Sequence, residues 1–315
     1  MSDYLTIPYT KNYCLHLRDE NDWNIICDEH NIKMVDKFAT IMQLKECKLN
    51  GSSRLIFSAM EEDKTLVSKA IFPEKDLLTN NSEWKCYDYS SRNILIWCNS
   101  STGDVIYKVD GIGQDNNEYT SMWLSLRQIY NRSICLGGLP FHAGLAEIDG
   151  QGVLFAASGG TGKSTCCRRL PDYWKPLCDD ETLVVLDNRN EYQAHPFPTW
   201  SEYLRNHSNK TWDVQYSVPL SAIFFLEQAN NDEVIPIEMR EASILMTESA
   251  SQISIYYMSW TEEFTNILEN REEIIELRKA IFNNAFNMAM NIPAFYLRVS
   301  LNGKFWEEVE NVLNR

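Results

Sequence analysis

Several features that would assign this protein to a common class are missing from its sequence. Basic residues are scarce, with 29 lysines and arginines against 44 acidic residues and a net charge of −15. This balance disfavours nucleic acid, which binds to a basic surface, and it equally disfavours an anionic membrane surface. The sequence also has no apolar run that approaches the roughly 18 residues of a membrane-spanning helix. We therefore expect neither a nucleic-acid partner nor a membrane partner.

Cysteines at the spacing of a metal site are missing as well. The nine cysteines include no C-x-x-C pair, and their odd number does not suit a disulfide framework. We interpret them as reduced, mostly buried thiols of a cytoplasmic protein. The first residues, Met1-Ser2-Asp3-Tyr4, carry neither a basic segment nor an apolar run, which predicts that there is no signal peptide.

The sequence does contain enough apolar material for a large core. Apolar residues make up 44% and aromatic residues 12% of the residues, which excludes a disordered chain. The length of 315 residues suits two domains or one large one. Residues 1–135 have an α+β pattern, and we expect a smaller recognition or oligomerisation domain there, compatible with a homo-oligomer. Residues 136–315 have an α/β pattern, and the change is marked by Gly137-Gly138.

Local patterns predict the order of elements. Asp149-Gly150-Gln151-Gly152 between two apolar runs predicts a tight hairpin turn, and Pro236 marks 234–237 as an edge strand. A hairpin is predicted from 93–98 and 105–109. Further strands are predicted at 141–148, 153–157, 182–186, 192–197, 222–226 and 293–299, and helices at 242–253, 262–290 and 303–313.

The most specific motif follows the pattern of a phosphate-binding loop (Walker A), and it reads Ala157-Ser158-Gly159-Gly160-Thr161-Gly162-Lys163-Ser164. The apolar residues 153–156 before it are typical of a strand and residues 164–170 can be helical, which is the context that the motif needs. Glycines let the backbone turn and point N–H groups inward, and a helix start favours anions. Lys163 adds a charge for terminal phosphates, and the Ser164 hydroxyl is placed to bind Mg²⁺. The alternative is a glycine-rich turn that contains Lys-Ser by chance.

Three further features fit with this loop. Asp179 and Asp180 lie 15 and 16 residues after Ser164, just before an apolar strand. One carboxylate can hold Mg²⁺ and the other can accept a proton from an attacking hydroxyl; the alternative is a charged surface loop. His142, on the strand paired with the one that feeds the loop, could reach a terminal phosphate or be a core histidine. His195 could border a base or substrate pocket or serve in packing.

Asp187 competes with Asp179 and Asp180 as a metal ligand, because it follows four apolar residues as in many ATPases. It lies at the opposite end of the same strand, about 20 Å away at a rise of 3.3 Å per residue. If this strand runs antiparallel to the strand that feeds the loop, Asp179 and Asp180 are near the phosphates; if it runs parallel, Asp187 is. The residues alone leave both arrangements open.

In this order the residues resemble the bacterial HPr kinase/phosphorylase family, a family of P-loop kinases. The resemblance covers about residues 136–315 and is carried by 141–144, 157–164 and 178–181. It is greatest to the HPr-kinase-like proteins of peptide-modification gene cassettes, including the SynChlorMet cassette type. Relatives of these in lasso peptide clusters phosphorylate a serine of a precursor peptide. The sequence departs from the family's loop at Ala157 and Gly159, where the family usually has Gly and Ser.

The resemblance implies an α/β P-loop kinase domain similar to the C-terminal domain of HPr kinase and to the nucleotide domain of phosphoenolpyruvate carboxykinase. It also implies that Mg²⁺ is held by Ser164 and Asp180, that Asp179 is the base that activates a hydroxyl, and that His142 and Lys163 act on the transferred phosphate. The ATP-binding residues that it implies are Ser158, Gly159, Gly160, Thr161, Gly162, Lys163, Ser164 and Thr165.

We therefore expect an ATP- and Mg²⁺-dependent kinase that transfers the γ-phosphate to a hydroxyl, chiefly of a Ser or Thr in a peptide or small protein. A peptide-modification pathway is the setting that the resemblance implies. Two alternatives stay open: an ATP-binding recruitment module without phosphotransfer, and a kinase of small-molecule hydroxyls. A transport ATPase is disfavoured, because the sequence has no segment that resembles L-S-G-G-Q.

Overall fold

The computed structural model describes residues 10–18, 21–59, 84–89, 94–109, 115–206, 208–254 and 271–313. The chain forms two compact units, each built from segments that are distant in sequence. The first unit comprises Met1–His16, Glu20–Gln128 and Trp200–Thr211. The second comprises Leu17–Asp19, Ile129–Thr199 and Trp212–Arg315. Each unit contains a β-sheet and helices, so the mixed α/β class predicted from the sequence is confirmed.

The first unit contains a sheet whose described strands are β1 Lys11–His16, β2 Asp22–Cys27, β3 Lys45–Glu46, β4 Ser53–Ala59, β5 Trp84–Tyr89, β6 Ile94–Asn99 and β7 Val105–Val109. Their order across the sheet is β3-β1-β2-β4-β7-β6-β5. β2, β4 and β7 run parallel, and the other pairs are antiparallel. The predicted hairpin from 93–98 and 105–109 is confirmed as β6 and β7.

A disulfide joins Cys14 on β1 to Cys47 just beyond β3, with 5.9 Å between their Cα atoms. The expectation that all nine cysteines are reduced thiols is therefore wrong for this pair. β1 and β3 are antiparallel neighbours, and Cys14 lies opposite Lys45. Strand pairing brings the two cysteines together across 33 residues of sequence, and their spacing alone carries no sign of it.

The helices of the described residues are distributed along the whole chain. They are α1 Ile32–Ile41, α2 Asp115–Cys135, α3 Lys163–Arg169, α4 Trp200–Asn206, α5 Met239–Ser254, α6 Arg271–Asn291 and α7 Phe305–Leu313. The predicted helix 262–290 corresponds to α6 from Arg271 onwards, and residues 262–270 lie outside the described residues. Within the described ranges, no helix has the length and apolar character needed to cross a membrane.

The second unit contains a larger sheet of eight described strands: β8 Leu139–Ile148, β9 Gln151–Ala156, β10 Lys175–Cys178, β11 Glu181–Leu186, β12 Tyr192–Phe197, β13 Val218–Gln228, β14 Glu233–Pro236 and β15 Ala294–Val299. β9, β13 and β15 are parallel neighbours, so their carboxyl ends meet at one edge. β14 lies at the end of the strand order, as its proline predicted. The turn predicted at 149–152 is present but shorter, because β9 already begins at Gln151. Asp149 and Gly150 join β8 to β9, and both have positive φ, at 49° and 75°.

Strand β8 organises this sheet because its two halves pair with different strands. Residues from Ala143 to Ile148 pair with β9, whereas residues from Leu139 to His142 pair with β11. The strand β10 also pairs with the second half of β8, on the side of β11. The chain from β10 to β11 therefore follows the whole length of β8, and Asp179-Asp180 lie between the two pieces.

An aromatic core holds the loop-bearing strand β9 in place. The ring of Phe155 lies 6.1 Å from that of Phe224 on β13, 6.4 Å from Trp174 and 6.0 Å from Phe305 on α7. Phe155 is fully buried, as are Phe224 and Phe305. Each such side chain stabilises the fold by roughly 1.5–3 kcal/mol through burial. The strand that leads into the glycine loop is thus packed tightly on the face that carries Phe155.

Candidate functional site

The glycine loop connects the carboxyl end of β9 to the first turn of α3. Gly160 and Gly162 have φ of +81° and +117°, a region that glycine adopts without the strain that a side chain brings. A Cβ atom added at Gly159, Gly160 or Gly162 would meet no atom within 4 Å. The backbone of the loop therefore borders open space at these three glycines, which leaves room for a ligand to approach it.

Ala157, one of the departures from the family pattern, occupies a position where glycine is not required. Its backbone carbonyl accepts a hydrogen bond of 3.0 Å from Lys163 Nζ, and its side chain packs against the core around Phe155. Its φ is not positive. Alanine can therefore make the same backbone contact to Lys163 without strain.

Three of the residues predicted for the site converge at the end of this loop. Lys163 Nζ lies 2.9 Å from His142 Nε2 and 3.8 Å from Asp180 Oδ1. His142 Nε2 lies 3.0 Å from the same carboxylate oxygen. Lys163 and His142 are 6% exposed, and the Asp180 side chain is 21% exposed. Lys163 and His142 are therefore shielded from solvent, and solvent reaches the cluster mainly at the Asp180 carboxylate.

Two residues on helix α5 hold His142, and neither was predicted from the sequence. The backbone N–H of His142 donates to Ser249 Oγ at 3.1 Å, and Nδ1 lies 2.7 Å from Gln252 Oε1. Because an amide oxygen only accepts, this contact places the proton of the neutral ring on Nδ1. Nε2 then accepts from Lys163, and the same ammonium group faces the Asp180 oxygen that lies 3.0 Å from Nε2. Ser249 and Gln252 are three residues apart, which puts them on one helix face, but no sequence signal connects that face to His142.

Asp179 faces a different partner from its neighbour Asp180. Its Oδ1 accepts a 2.7 Å hydrogen bond from Thr199 Oγ1, and Thr199 is buried. A hydrogen bond to a charged acceptor is stronger than one between neutral groups and fixes the carboxylate's orientation. Thr199 was not predicted as a site residue, so its contact with Asp179 was missed.

His195 lies on β12, and its side chain is buried in the core. It is 1% exposed, and Nδ1 donates to the carbonyl of Val214 at 2.9 Å. Burial lowers the pKa of His195 to about 4, so the ring is neutral in the folded protein. Of the two roles considered for His195, the structure supports packing.

Asp187 lies at the far end of β11 and has partners of its own. Oδ2 pairs with Arg18 at 2.9 Å, and Oδ1 accepts from the backbone N–H groups of Arg189 and Glu191. It is 6% exposed. Asp187 therefore stabilises the turn after β11 through its carboxylate, and it lies at the end of β11 away from the glycine loop.

Asp180 lies near the loop, although β11 does not run in the direction from which this position was expected. β11 is antiparallel to β8, and β8 is antiparallel to β9, so β11 runs parallel to β9. The parallel arrangement was expected to bring Asp187 to the loop, yet Asp180 is there. The expectation was wrong because β11 pairs with the other half of β8: Glu181 lies opposite His142, and Ala156 lies opposite Ala143. β11 thus begins where β9 ends.

The electrostatics of the cluster combine a desolvated cation with two carboxylates. Burial lowers the pKa of Lys163, and the carboxylates of Asp180 and Asp179 oppose that shift. The same two carboxylates do not by themselves form a complete site for a divalent cation. Among the described residues, no three His, Cys, Asp or Glu side chains converge on one point.

Magnesium, however, usually binds one or two carboxylates together with substrate phosphates and water. Asp180 is partly exposed beside the loop, and Ser164 is in the first turn of α3, so these two residues fit that mode of binding.

Comparison with known families identifies the group to which this chain is related. The model of a family described as SynChlorMet cassette protein ScmC matches residues 105–314, which is 210 of 315 residues. A comparison with curated proteins gives no match. The matched region contains the glycine loop, His142 and Asp179-Asp180. The chain therefore belongs to the ScmC family of SynChlorMet cassette proteins.

Proposed function

We propose that this protein is an ATP- and Mg²⁺-dependent kinase that transfers the γ-phosphate to a Ser or Thr hydroxyl of a peptide or small protein. The observation that carries the proposal is the convergence of Lys163, His142 and Asp180 within 4 Å at the end of a glycine loop. In this proposal the second unit has the P-loop kinase fold of the HPr kinase C-terminal domain and the phosphoenolpyruvate carboxykinase nucleotide domain.

Lys163 and the loop bind the phosphate chain. The loop leaves open space beside Gly159, Gly160 and Gly162, where backbone N–H groups attract anions. Lys163 extends from the first turn of α3 to the cluster and supplies a positive charge in a nearly water-free environment, where charge interactions are stronger than in water. His142, held by Gln252, keeps the ammonium group pointed at the site.

Asp179 is the base for the acceptor hydroxyl. Thr199 occupies its Oδ1, and Oδ2 takes the proton as the hydroxyl oxygen bonds to the γ-phosphorus. The bond between that phosphorus and the oxygen bridging to the β-phosphate breaks, and ADP leaves. Catalysis then consists mainly of positioning and charge neutralisation. A bound Mg²⁺, held by Ser164 and Asp180, would neutralise charge on the phosphates.

The acceptor class is supported by the family rather than by a visible acceptor site. The family is described as a SynChlorMet cassette protein, and the sequence resembles the kinases of peptide-modification cassettes. A peptide or small protein of such a pathway is therefore the acceptor that we propose.

The test is transfer of label from γ-³²P-ATP with Mg²⁺ to two degenerate peptide libraries. One library contains fixed Ser or Thr, and the other has Ala in their place. We expect label on the first library only, and loss of transfer in Lys163→Met. Lys304→Met is the control and should transfer normally, because Lys304 is an exposed residue just before α7. ATP binding without transfer to any peptide would favour the recruitment module instead.

A further inference from the structure

A cavity of about 350 Å³ opens beside the glycine loop. Its walls include Gly160, Thr161 and Gly162 of the loop. The other walls come from Thr165, Cys166 and Arg169 of α3, from residues 226–229 at the end of β13 and from residues 299–301 at the end of β15. The volume lies in the range of pockets that bind small molecules.

The cavity and the Lys163 cluster lie on opposite sides of β9. β9 pairs with β8, which carries His142, along one edge, and with β13 along the other. The cavity is formed at the carboxyl ends of the parallel strands β13 and β15, the edge at which open α/β sheets commonly bind their ligands. A phosphate chain on the loop therefore has the cluster at one end and the cavity at the other.

The chemistry of the cavity suits a nucleoside. Leu301, which is 82% exposed, and Val299 give the cavity an apolar wall. On the adjacent strand β13, Gln228 and Glu227, which also pairs with Arg298, contribute acceptors of the kind that bind ribose hydroxyls. An apolar surface with a few polar groups is the usual composition of a small-molecule pocket.

The walls are connected to the loop by hydrogen bonds, so the cavity is already formed. Gln228 Nε2 donates to the carbonyl of Thr161 at 3.2 Å. Arg169 on α3 donates to the carbonyl of Ser300 at 2.8 Å and also to that of Gly303, and its guanidinium lies 5.2 Å from the centre of the Phe305 ring. A preformed pocket loses less entropy when it binds its ligand.

We propose that this cavity binds the base and ribose of the nucleoside triphosphate, with the phosphate chain crossing Gly160–Gly162 towards Lys163. The inference rests on the proposed function, because it assumes that the loop binds phosphates. It adds the orientation of the nucleotide and the residues that distinguish a nucleotide from a bare polyphosphate.

The test measures binding of ATP and of inorganic tripolyphosphate, each with Mg²⁺, by calorimetry. Ala229→Trp adds bulk at the cavity, and Leu301→Asn removes its apolar wall. Ile275→Asn is the matched control, since Ile275 is an exposed apolar residue on α6 outside the cavity. We expect ATP affinity to fall at least tenfold in Ala229→Trp and about threefold to tenfold in Leu301→Asn. Tripolyphosphate affinity should stay within twofold of wild type in all three variants.

The outcomes separate the two proposals. Wild type that binds both ligands, with ATP affinity unchanged in the two cavity variants, would overturn the cavity assignment and leave the phosphate loop standing. Wild type that binds neither ligand would overturn the proposed function and the cavity assignment together. If Ala229→Trp fails to fold in a thermal unfolding scan, Leu301→Asn against Ile275→Asn decides the question by itself.

Discussion

The ammonium nitrogen of Lys163 lies 2.9 Å from Nε2 of His142, and this contact joins the glycine loop to the neighbouring strand β8. The close packing of α3 on β8 makes it possible. A Cβ atom at Gly144, two residues after His142, would meet Cys167 Sγ of α3 at 2.6 Å. Glycine at this position lets the helix approach, and Lys163 at the start of the helix then reaches His142.

The contact requires His142 to present an acceptor at Nε2, and Gln252 sets that condition. We expect Gln252→Leu to lower kcat of phosphotransfer about fivefold to thirtyfold with little change in KM for ATP. The loss corresponds to one hydrogen bond of about 1–2 kcal/mol. Steady-state kinetics of the purified variant measures it.

A spectroscopic measurement separates this positioning role from a general loss of structure. Nitrogen-15 NMR of labelled histidine distinguishes a proton on Nδ1 from one on Nε2. We expect the Nδ1-protonated form of His142 in wild type and in Gln252→Glu, which keeps an acceptor, and a mixture of forms in Gln252→Leu. The same tautomer in all three proteins would contradict the role assigned to Gln252.

Thr199 should matter for catalysis more than for stability. Thr199→Val keeps the shape of the side chain but removes the donor to Asp179 Oδ1. A hydrogen bond to a charged group contributes about 1.5–3 kcal/mol, so we expect kcat to fall roughly tenfold to a hundredfold. Thr182→Val is the control, because Thr182 is equally buried but donates to the carbonyl of Ala143. It should lower thermal stability and leave kcat nearly unchanged; equal kcat in both variants would contradict the prediction.

The glycines of the loop are not equivalent. Gly162 has φ of +117°, so Gly162→Ala introduces strain of about 1–2 kcal/mol, and we expect about tenfold weaker ATP binding. Gly159 does not have a positive φ, and a side chain there meets no protein atom within 4 Å. Gly159→Ser should therefore bind ATP within about threefold of wild type. Titration calorimetry tests the pair, and a larger loss at Gly159 than at Gly162 would contradict it.

Buried His195 should make stability depend on pH. Its pKa is about 4 in the folded protein and near the ordinary 6.5 when unfolded, so the unfolded chain binds the extra proton between these values. Its contribution is complete above pH 6.5 and is lost as the pH falls to 4, by about 3 kcal/mol. His195→Gln lacks this titration. Urea unfolding across that range should show a shallower loss of stability in the variant, and parallel curves would contradict the assignment.

The loop and its neighbouring strands could be predicted because their signals are local. Glycine spacing, the apolar run before it and the turn predicted at 149–152 each depend on a few adjacent residues. The structure has a turn within that segment and a strand on each side of it, with β9 beginning two residues earlier than predicted. The predicted pairing of β8 with β9 correctly put His142 on the strand beside the one that leads into the loop.

The remaining parts depend on contacts that local patterns do not report. The path of β11 along the other half of β8 could not be anticipated, because it depends on how far β8 extends beyond β9. Gln252 reaches His142 from 110 residues away in sequence, and Thr199 reaches Asp179 from 20. Leu301 could be recognised as a cavity wall only once β13 and β15 were paired.

The measurement that tests the account most directly compares two carboxylates of one chain segment, Asp179 before β11 and Asp187 after it. Transfer of label from γ-³²P-ATP to the Ser/Thr peptide library is measured for wild type, Asp179→Asn and Asp187→Asn. Asp187→Asn keeps acceptors for the N–H groups of Arg189 and Glu191, so it is a matched control. We predict transfer by wild type and Asp187→Asn and at least a hundredfold loss in Asp179→Asn, with ATP binding retained. Equal transfer by the two variants, or no transfer by wild type, would contradict the assignment of this site as a kinase centre.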